Sequence, residues 1–219
     1  MQQSASKVVF LIRHAESMKN LSDRFGDPRQ HFMLTDAGIN ETDELGKQLF
    51  SEFLPGVKDR VLIVCNREAR AHHTAEILSK QLNLPLIAVN GLDPIDSGLL
   101  SGVTESDARD LYPEIMKKKE SYRTGELDGY ELEYPGGDRV ADFQGRVMKS
   151  FFSVVSQEAF EIFWIVGHQS TITAILSFFA NQNEQKKFYH YFKLDFCGIS
   201  KLSLDGSGLG RIDFINRIL

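Results

Sequence analysis

Val8-Val9-Phe10-Leu11-Ile12-Arg13-His14-Ala15-Glu16-Ser17 is the stretch that decides the fold. Five consecutive apolar residues without polar alternation fit a strand buried on both faces, as in parallel α/β sheets. The strand runs without a break into Arg-His. Such sheets bind ligands just past the carboxyl ends of their strands, so Arg13 and His14 fall where a ligand would sit. Arginine offers a planar, permanently charged fork that matches phosphate oxygens. A neutral imidazole can attack phosphorus. Taken alone, the pair also fits a strand that ends in two surface residues, and the rest of the chain decides between these readings.

The same pattern recurs downstream. Val61 to Cys65 and Ile162 to Val166 read as buried strands, Leu86 to Val89 as a short one, and 198–204 and 210–217 as two late strands joined through Asp205-Gly206. Helices fall between them. One starts near Ala37, capped by Thr35 or Asp36, with Leu45, Leu49 and Phe53 on one face. A second covers Glu68 to Leu82. A third begins after Asp138 on the stripe Val140, Phe143, Val147, Phe151 and Val154. A fourth follows His168 through Ile172, Ile175, Leu176 and Phe179. Strands alternating with helices predict an α/β fold: a mostly parallel central sheet flanked by helices on both faces, in one domain over 1–219. Residues 90–137 depart from this rhythm. Thr104 and Asp107 resemble a capping box opening a helix to about Lys118, and charged, loop-like sequence follows to Tyr134. We read 90–137 as a cap-like insertion over the C-terminal strand edge, with a plain surface insertion as the alternative.

Composition narrows the function classes. The 219 residues are 42% hydrophobic and 25% charged, with a formal net charge of −5, ordinary for a globular chain. An acidic balance argues against nucleic acid and anionic membranes as partners. Two distant cysteines, Cys65 and Cys197, give neither a disulfide framework nor a thiolate zinc site and favour a reducing compartment. No basic, apolar leader opens the sequence, and no run approaches the roughly 18 apolar residues of a membrane span. A cytoplasmic location is the expectation.

Two buried strands end in a histidine, at His14 and His168, and Val61 to Cys65 leads to Arg67 and Arg70 at a helix start. If those strands are parallel and adjacent, two imidazoles, at least two guanidiniums and helix N-termini meet at one edge. That is a phosphate-binding arrangement.

These residues resemble the histidine phosphatase superfamily, the phosphoglycerate-mutase-like enzymes. Leu11-Ile12-Arg13-His14-Ala15-Glu16-Ser17 is similar to its L-x-R-H-G-x-[ST], with Ala15 in place of Gly. Asn20 stands where the family has a phosphate-contacting Asn. Leu34-Thr35-Asp36-Ala37-Gly38 resembles L-[ST]-x-x-G, and Arg70-Ala71-His72-His73-Thr74-Ala75 resembles R-A-x-Q-T-A. Tyr134-Pro135-Gly136-Gly137-Asp138 resembles P-G-G-E, and Gly167-His168-Gln169 resembles H-G-G. The resemblance runs from about residue 7 to 204. It implies that His14 is the nucleophile and is transiently phosphorylated, that Arg13 and Arg70 bind phosphoryl oxygens with Asn20 adding a neutral donor, and that His168 donates to an equatorial oxygen. It implies no metal and no other cofactor. The substrate is then a phosphorylated small molecule or a phosphoprotein, while the oligomeric state, a homodimer included, stays open.

One departure bears on the chemistry. The family carries a general-acid Glu in a pattern like L-x-E-x-x-x-G, and the matching stretch here is Leu92-Asp93-Pro94-Ile95-Asp96-Ser97-Gly98. Pro94 has no proton to give. Asp93, which adjoins the aligned position, is the favoured substitute and Asp96 the other candidate; both also fit plain turn residues. The readings left open are a phosphatase with a relocated acid, a slow phosphatase, a phosphoglycerate-type mutase, and a protein that binds a phosphorylated ligand without turnover. Among flanking residues, Arg24 and Arg29 can receive an anionic substrate, with solvated loop charges as the alternative. Adjacent His72 and His73 point about 100° apart on a helix, which argues against joint metal ligation; surface or packing roles are the favoured reading for both, and His73 is the one of the two taken as a site neighbour. Arg67 is a candidate for support behind Arg70. His31 and the run Lys117-Lys118-Lys119 read as solvated, and Cys65 and Trp164 as core.

Overall fold

The computed structural model describes residues 6–27, 30–182, 184 and 187–219. Arg29 lies outside them. Six strands form one sheet in the order β3-β2-β4-β1-β5-β6: β1 Lys7–Arg13, β2 Val61–Cys65, β3 Leu86–Ala88, β4 Ile162–Gly167, β5 Ile199–Leu204 and β6 Gly210–Arg217. The first four strands pair in parallel, and β5 and β6 close one edge antiparallel. Among the described residues six α-helices accompany them: α1 Asp36–Phe53, α2 Ala69–Leu82, α3 Glu105–Leu111, α4 Pro113–Thr124, α5 Val140–Val155 and α6 Gln169–Ala180.

Side chains alternate across a strand, which explains the unbroken apolar runs. Phe10, Ile12, Ile63, Trp164 and Val166 face one core with Leu45 and Leu49 of α1 and Leu78 of α2. Val9, Leu11, Leu62, Val64, Phe163 and Ile165 face a second core with α5 and α6. A strand covered on both sides cannot spare a polar face. Cys65 and Trp164 are fully buried in the first core, and burial pushes the Cys65 thiol up to about 12.

The cap differs from expectation. A single helix to about Lys118 is replaced by two, broken at Tyr112-Pro113, and the second runs on to Thr124 through sequence that reads as loop. Pro113 lacks the N–H that would continue α3 and disfavours helical geometry at the preceding residue. Tyr112 accordingly sits at φ −136°, ψ 55°, and Pro113 becomes the first residue of α4. Gly125, at φ +81°, stops α4 in a left-handed turn. The two ends of the cap are fastened together. Leu99 N–H donates to Pro135 O at 2.8 Å, and Asp138 N–H to Asp96 O at 3.0 Å. A Cβ on Gly137 would lie 2.4 Å from Asp96 O, so the Gly-Gly turn is what lets these strands of loop touch.

Gly38 has a similar role at the base of β1. Thr35 caps α1 by accepting from Gly38 N–H at 3.0 Å, and its hydroxyl donates to Glu16 Oε1 at 2.7 Å. A Cβ on Gly38 would stand 2.1 Å from Glu16 O, so only glycine lets α1 start against the backbone that follows His14. Among the described residues, no helix is long and apolar enough to cross a membrane.

Candidate active site

The site rests on three neighbouring strand ends. β4 lies between β2 and β1, with Val166 opposite Cys65 and Gly167 opposite Arg13. The residues that come next, Asn66, His168 and His14, therefore share one edge, and all three are buried. His14 N–H donates to Gly167 O at 2.9 Å, which carries the β1–β4 ladder one residue past the strand. The two imidazoles sit 5.2 Å apart between ring centroids, inclined by 63°. Ala15 N–H donates to Thr74 Oγ1 at 3.2 Å, tying this edge to α2.

His14 Nδ1 lies 2.7 Å from the Ala15 carbonyl. A carbonyl only accepts, so Nδ1 carries the ring proton and Nε2 keeps its lone pair. Burial, then Arg70, with smaller contributions from Arg13 and Lys19, pushes His14 down to about 3. The ring is thus neutral and nucleophilic at pH 7. His168 is held well below the ordinary imidazole value, by burial first and then by Arg70 and His14.

A chain of hydrogen bonds leads away from His168. Asn66 Nδ2 donates to Asp93 Oδ1 at 3.0 Å. A carboxylate accepts, so this bond orients the amide and presents Asn66 Oδ1 to His168, whose Nε2–H donates to it at 3.2 Å. His168 Nδ1 is buried without a partner among the described residues. Asp93 Oδ2 also accepts from Gly91 N–H at 3.2 Å, and Thr171 and Arg146 bond the backbone carbonyls of 91–94 to α6 and α5.

Two guanidiniums complete the cradle. Arg13 Nη1 donates to Leu194 O, with its plane 4.2 Å from the Phe196 ring centroid. Gln169, at the start of α6, holds that segment by donating to Phe192 O and accepting from Leu194 N–H. Arg70, in the first turn of α2, is buried and donates to Glu68 Oε2 at 2.7 Å. Burial lowers both groups from their ordinary value, yet guanidiniums stay charged in proteins. The N-termini of α2 and α6, with unpaired N–H groups, open onto the same edge. These groups line a cavity of about 580 Å³, a size typical of small-molecule sites.

Of the residues expected from sequence, Arg13, His14, Asn20, Arg70, Asp93 and His168 all line this cavity. Asn20 Oδ1 accepts from Ser17 N–H and Oγ–H, leaving its Nδ2 as the donor. Asp96 also lines it but is exposed, with Oδ1 accepting from Gly98 N–H in a turn. His73 and Arg24 are not brought in. His73 sits on α2 away from the cavity lining, and Arg24 reaches sideways to donate to Gly102 O at 2.9 Å, fastening the 22–26 loop to the cap. Arg67 and His31 are exposed, and His72 lies 3.8 Å from Glu76.

Several groups of the site are not site residues in the sequence reading. Asn66 carried the same signal as His14 and His168, a polar residue just past a buried strand. Lys119 was read as solvated, yet its side chain is only 14% exposed and lines the cavity. It lies three and four residues after Met116 and Ile115, both buried, and that helical spacing was its signal. Glu68 and the carbonyl of Leu194 had none: one is a charge at a helix start, the other a backbone group.

The profile described as Histidine phosphatase superfamily (branch 1) matches residues 9–217. The human 6-phosphofructo-2-kinase/fructose-2,6-bisphosphatase 3 is 25% identical over 184 residues, covering 84% of this chain and 31% of the relative. Fructose-2,6-bisphosphatase from Saccharomyces cerevisiae is 25% identical over 181 residues, covering 82% and 36%. The chain thus spans about a third of the length of these curated relatives. Among solved structures, Bacillus stearothermophilus YhfR superposes with a TM-score of 0.80 at 20% identity, covering 97% of this chain and 98% of that one. Phosphoglycerate mutase from Bacillus anthracis superposes at 0.77 with 14% identity, covering 98% and 94%. The sheet order, the paired histidines at adjacent strand ends and the matched profile agree, and the chain belongs to the histidine phosphatase superfamily, branch 1.

Proposed function

We propose that the chain is a metal-independent phosphomonoesterase that works through a phosphohistidine on His14. One observation carries this reading. The Ala15 carbonyl accepts a hydrogen bond from His14 Nδ1–H, so the Nε2 lone pair is left free in a cavity lined by Arg13 and Arg70. In the first step Nε2 bonds to phosphorus as the phosphorus–oxygen bond to the leaving group breaks, and Asp93 gives its proton to the departing oxygen. In the second, water attacks the phosphohistidine, Asp93 takes a proton back, the phosphorus–nitrogen bond breaks and inorganic phosphate leaves. Phosphoryl transfer depends mainly on positioning and on neutralising the equatorial oxygens. Arg13, Arg70 and Asn20 supply those donors, and His168 joins them by taking a second proton on Nδ1 as the phosphoryl charge comes beside it.

Asp93 takes the acid role in place of Pro94 because its carboxylate lines the cavity and is bonded through Asn66 to His168. A phosphomonoester that enters as its monoanion brings the proton that Asp93 passes to the leaving oxygen. The net charge of −5 supports a phosphorylated small molecule or phosphoprotein as substrate over nucleic acid, and with two unpaired cysteines supports a cytoplasmic setting.

The test is hydrolysis of p-nitrophenyl phosphate with excess chelator across about pH 5 to 8. Turnover that survives chelator and disappears in His14→Ala is expected, together with an acid-labile phosphoenzyme. Asp93→Asn should lose about 10²–10⁴-fold on alkyl phosphates and less on the aryl ester, whose leaving group needs little protonation. An inactive wild type that still binds phosphate, or an active His14→Ala, overturns the reading.

A further inference from the structure

Asp93 sits in a segment that its own backbone does not hold. Among the described residues, none of 91–94 makes a backbone–backbone hydrogen bond, although an irregular segment has the same polar groups to satisfy as a helix or a strand. Side chains take that part. Arg146, on α5, donates through Nη1 to Gly91 O and Asp93 O, both at 3.3 Å, and through Nη2 to Pro94 O at 3.4 Å. Thr171, on α6, places its hydroxyl 3.2 Å from Leu92 O and 3.4 Å from Asp93 O. The path of the main chain through Asp93 is therefore set by two side chains, of which Arg146 covers the wider span.

The same guanidinium reaches Asp138, just past the cap. Its Nη2 donates to Asp138 Oδ2 at 3.3 Å, and that oxygen also accepts from Asp96 N–H at 3.0 Å. With two acceptors on Nη1 and two on Nη2, all four terminal N–H groups of Arg146 are engaged. It lines the cavity with no terminal donor left for a phosphoryl oxygen. Each bond is long and weak alone, but a rigid planar fork that meets four acceptors is held in one plane. Nη1 stands 3.9 Å from Asp93 Oδ2, beyond hydrogen-bond reach. Arg146 thus grips the main chain of Asp93 and leaves its carboxyl oxygens to Asn66, Gly91 and the reaction.

We propose that Arg146 is a positioning residue for the proton-transfer step: it fixes where the Asp93 carboxyl meets the leaving oxygen, and through Asp138 it ties that placement to the end of the cap. This rests on the reading of Asp93 as the acid of a phosphatase. Arg13, Arg70 and Asn20 hold the phosphoryl group by other means, since none of their hydrogen bonds passes through Arg146. Loss of Arg146 should therefore act on proton transfer and spare phosphoryl binding. A reacting group misplaced by about 1 Å loses about 10²-fold in rate, which sets the scale of the effect.

The experiment compares wild type, Arg146→Met, Asp93→Asn and the double variant on butyl phosphate and p-nitrophenyl phosphate. Arg146→Met should lower kcat on the alkyl ester about tenfold to a hundredfold with KM within about twofold, and on the aryl ester by less than about threefold, since that leaving group needs little protonation. In the Asp93→Asn background the same substitution should cost less than about threefold on either ester, because no acid is left to place. Hydrogen exchange over 89–99, read by mass spectrometry, should rise in Arg146→Met, and thermal melting checks that each variant is folded. Arg146→Lys keeps the charge without the planar fork; it serves if the methionine variant melts early, and should show the same pattern. Equal losses on the two esters, additive losses in the double variant, or unchanged exchange would overturn the role of Arg146. An inactive wild type refutes the phosphatase reading and this role with it, whereas any of those results in an active wild type refutes the role alone.

Discussion

Lowering the pH from 7 to 5 should destabilise this fold through His14 and His168. Both rings are buried and are held below the ordinary imidazole value of 6.5, His14 at about 3. The unfolded chain therefore binds more protons than the folded one between about pH 3 and 6.5. Their contribution is fully present above 6.5 and is lost as the pH falls through that window. Each ring that stays neutral while its unfolded counterpart protonates costs about 1.4 kcal/mol per pH unit. By pH 5 this amounts to about 2 kcal/mol for His14, and His168 adds a loss of the same sign. A domain of this size has only about 5–15 kcal/mol in total, so the effect is large. Urea unfolding at pH 7 and pH 5, on wild type, His14→Gln and the His14→Gln/His168→Gln double variant, measures it. The pH-dependent loss should shrink by about 2 kcal/mol in His14→Gln and further in the double variant, whatever the substitutions do to stability at pH 7. Equal losses in wild type and the double variant would refute the claim that these two rings are neutral in the fold.

Asn66→Ala should lower kcat about tenfold on an alkyl phosphate with little change in KM, and should shift the acid limb of the pH–rate profile, because Asn66 joins Asp93 to His168. A lower kcat with an unmoved pH profile would reduce Asn66 to a packing residue. Gly38→Ala should lower the melting temperature by about 2–10 °C, since its Cβ would stand 2.1 Å from Glu16 O and backbone must move to make room. An unchanged melting temperature would mean that α1 does not need that close approach.

Much of the fold was legible because burial on both faces leaves a coarse imprint. Val61 to Cys65 and Ile162 to Val166 had to be strands of a covered sheet, and their polar successors had to lie at its edge. The cap was read less well. Pro113 lay inside a run that otherwise looked helical, and its effect as a new helix start outweighed the continuity of the pattern around it. His73 illustrates a different limit. Sequence placed it one residue before Thr74, whose hydroxyl reaches the backbone beside His14, but each residue of a helix turns about 100° from the last, and Arg70 and Thr74 take the side that faces the site. Lys119 failed for the opposite reason: its charge hid a position on the buried stripe of Ile115, Met116 and Tyr122. Leu194 could not be found at all, since its role is that of a carbonyl any residue would carry.

The same arrangement explains why the site is both reactive and costly. In the proposed mechanism His14 must be neutral to attack, and burial, then Arg70, with Arg13 and Lys19 adding to it, keeps it so. Those cations are held there with little opposing charge: the Leu194 carbonyl and the Phe196 face hold Arg13, and Lys19 makes no hydrogen bond or ion pair among the described residues, while Glu105 and Asp23 attract it from further off. Only Arg70 has a full counter-ion, in Glu68. An empty site thus concentrates like charges, which disfavours folding, and an incoming phosphoryl dianion relieves them. Binding of phosphate and stability at mildly acid pH are then two readings of one electrostatic deficit. Inorganic phosphate should raise the melting temperature more in wild type than in Lys19→Met, because the methionine removes part of the repulsion that the anion would otherwise cancel.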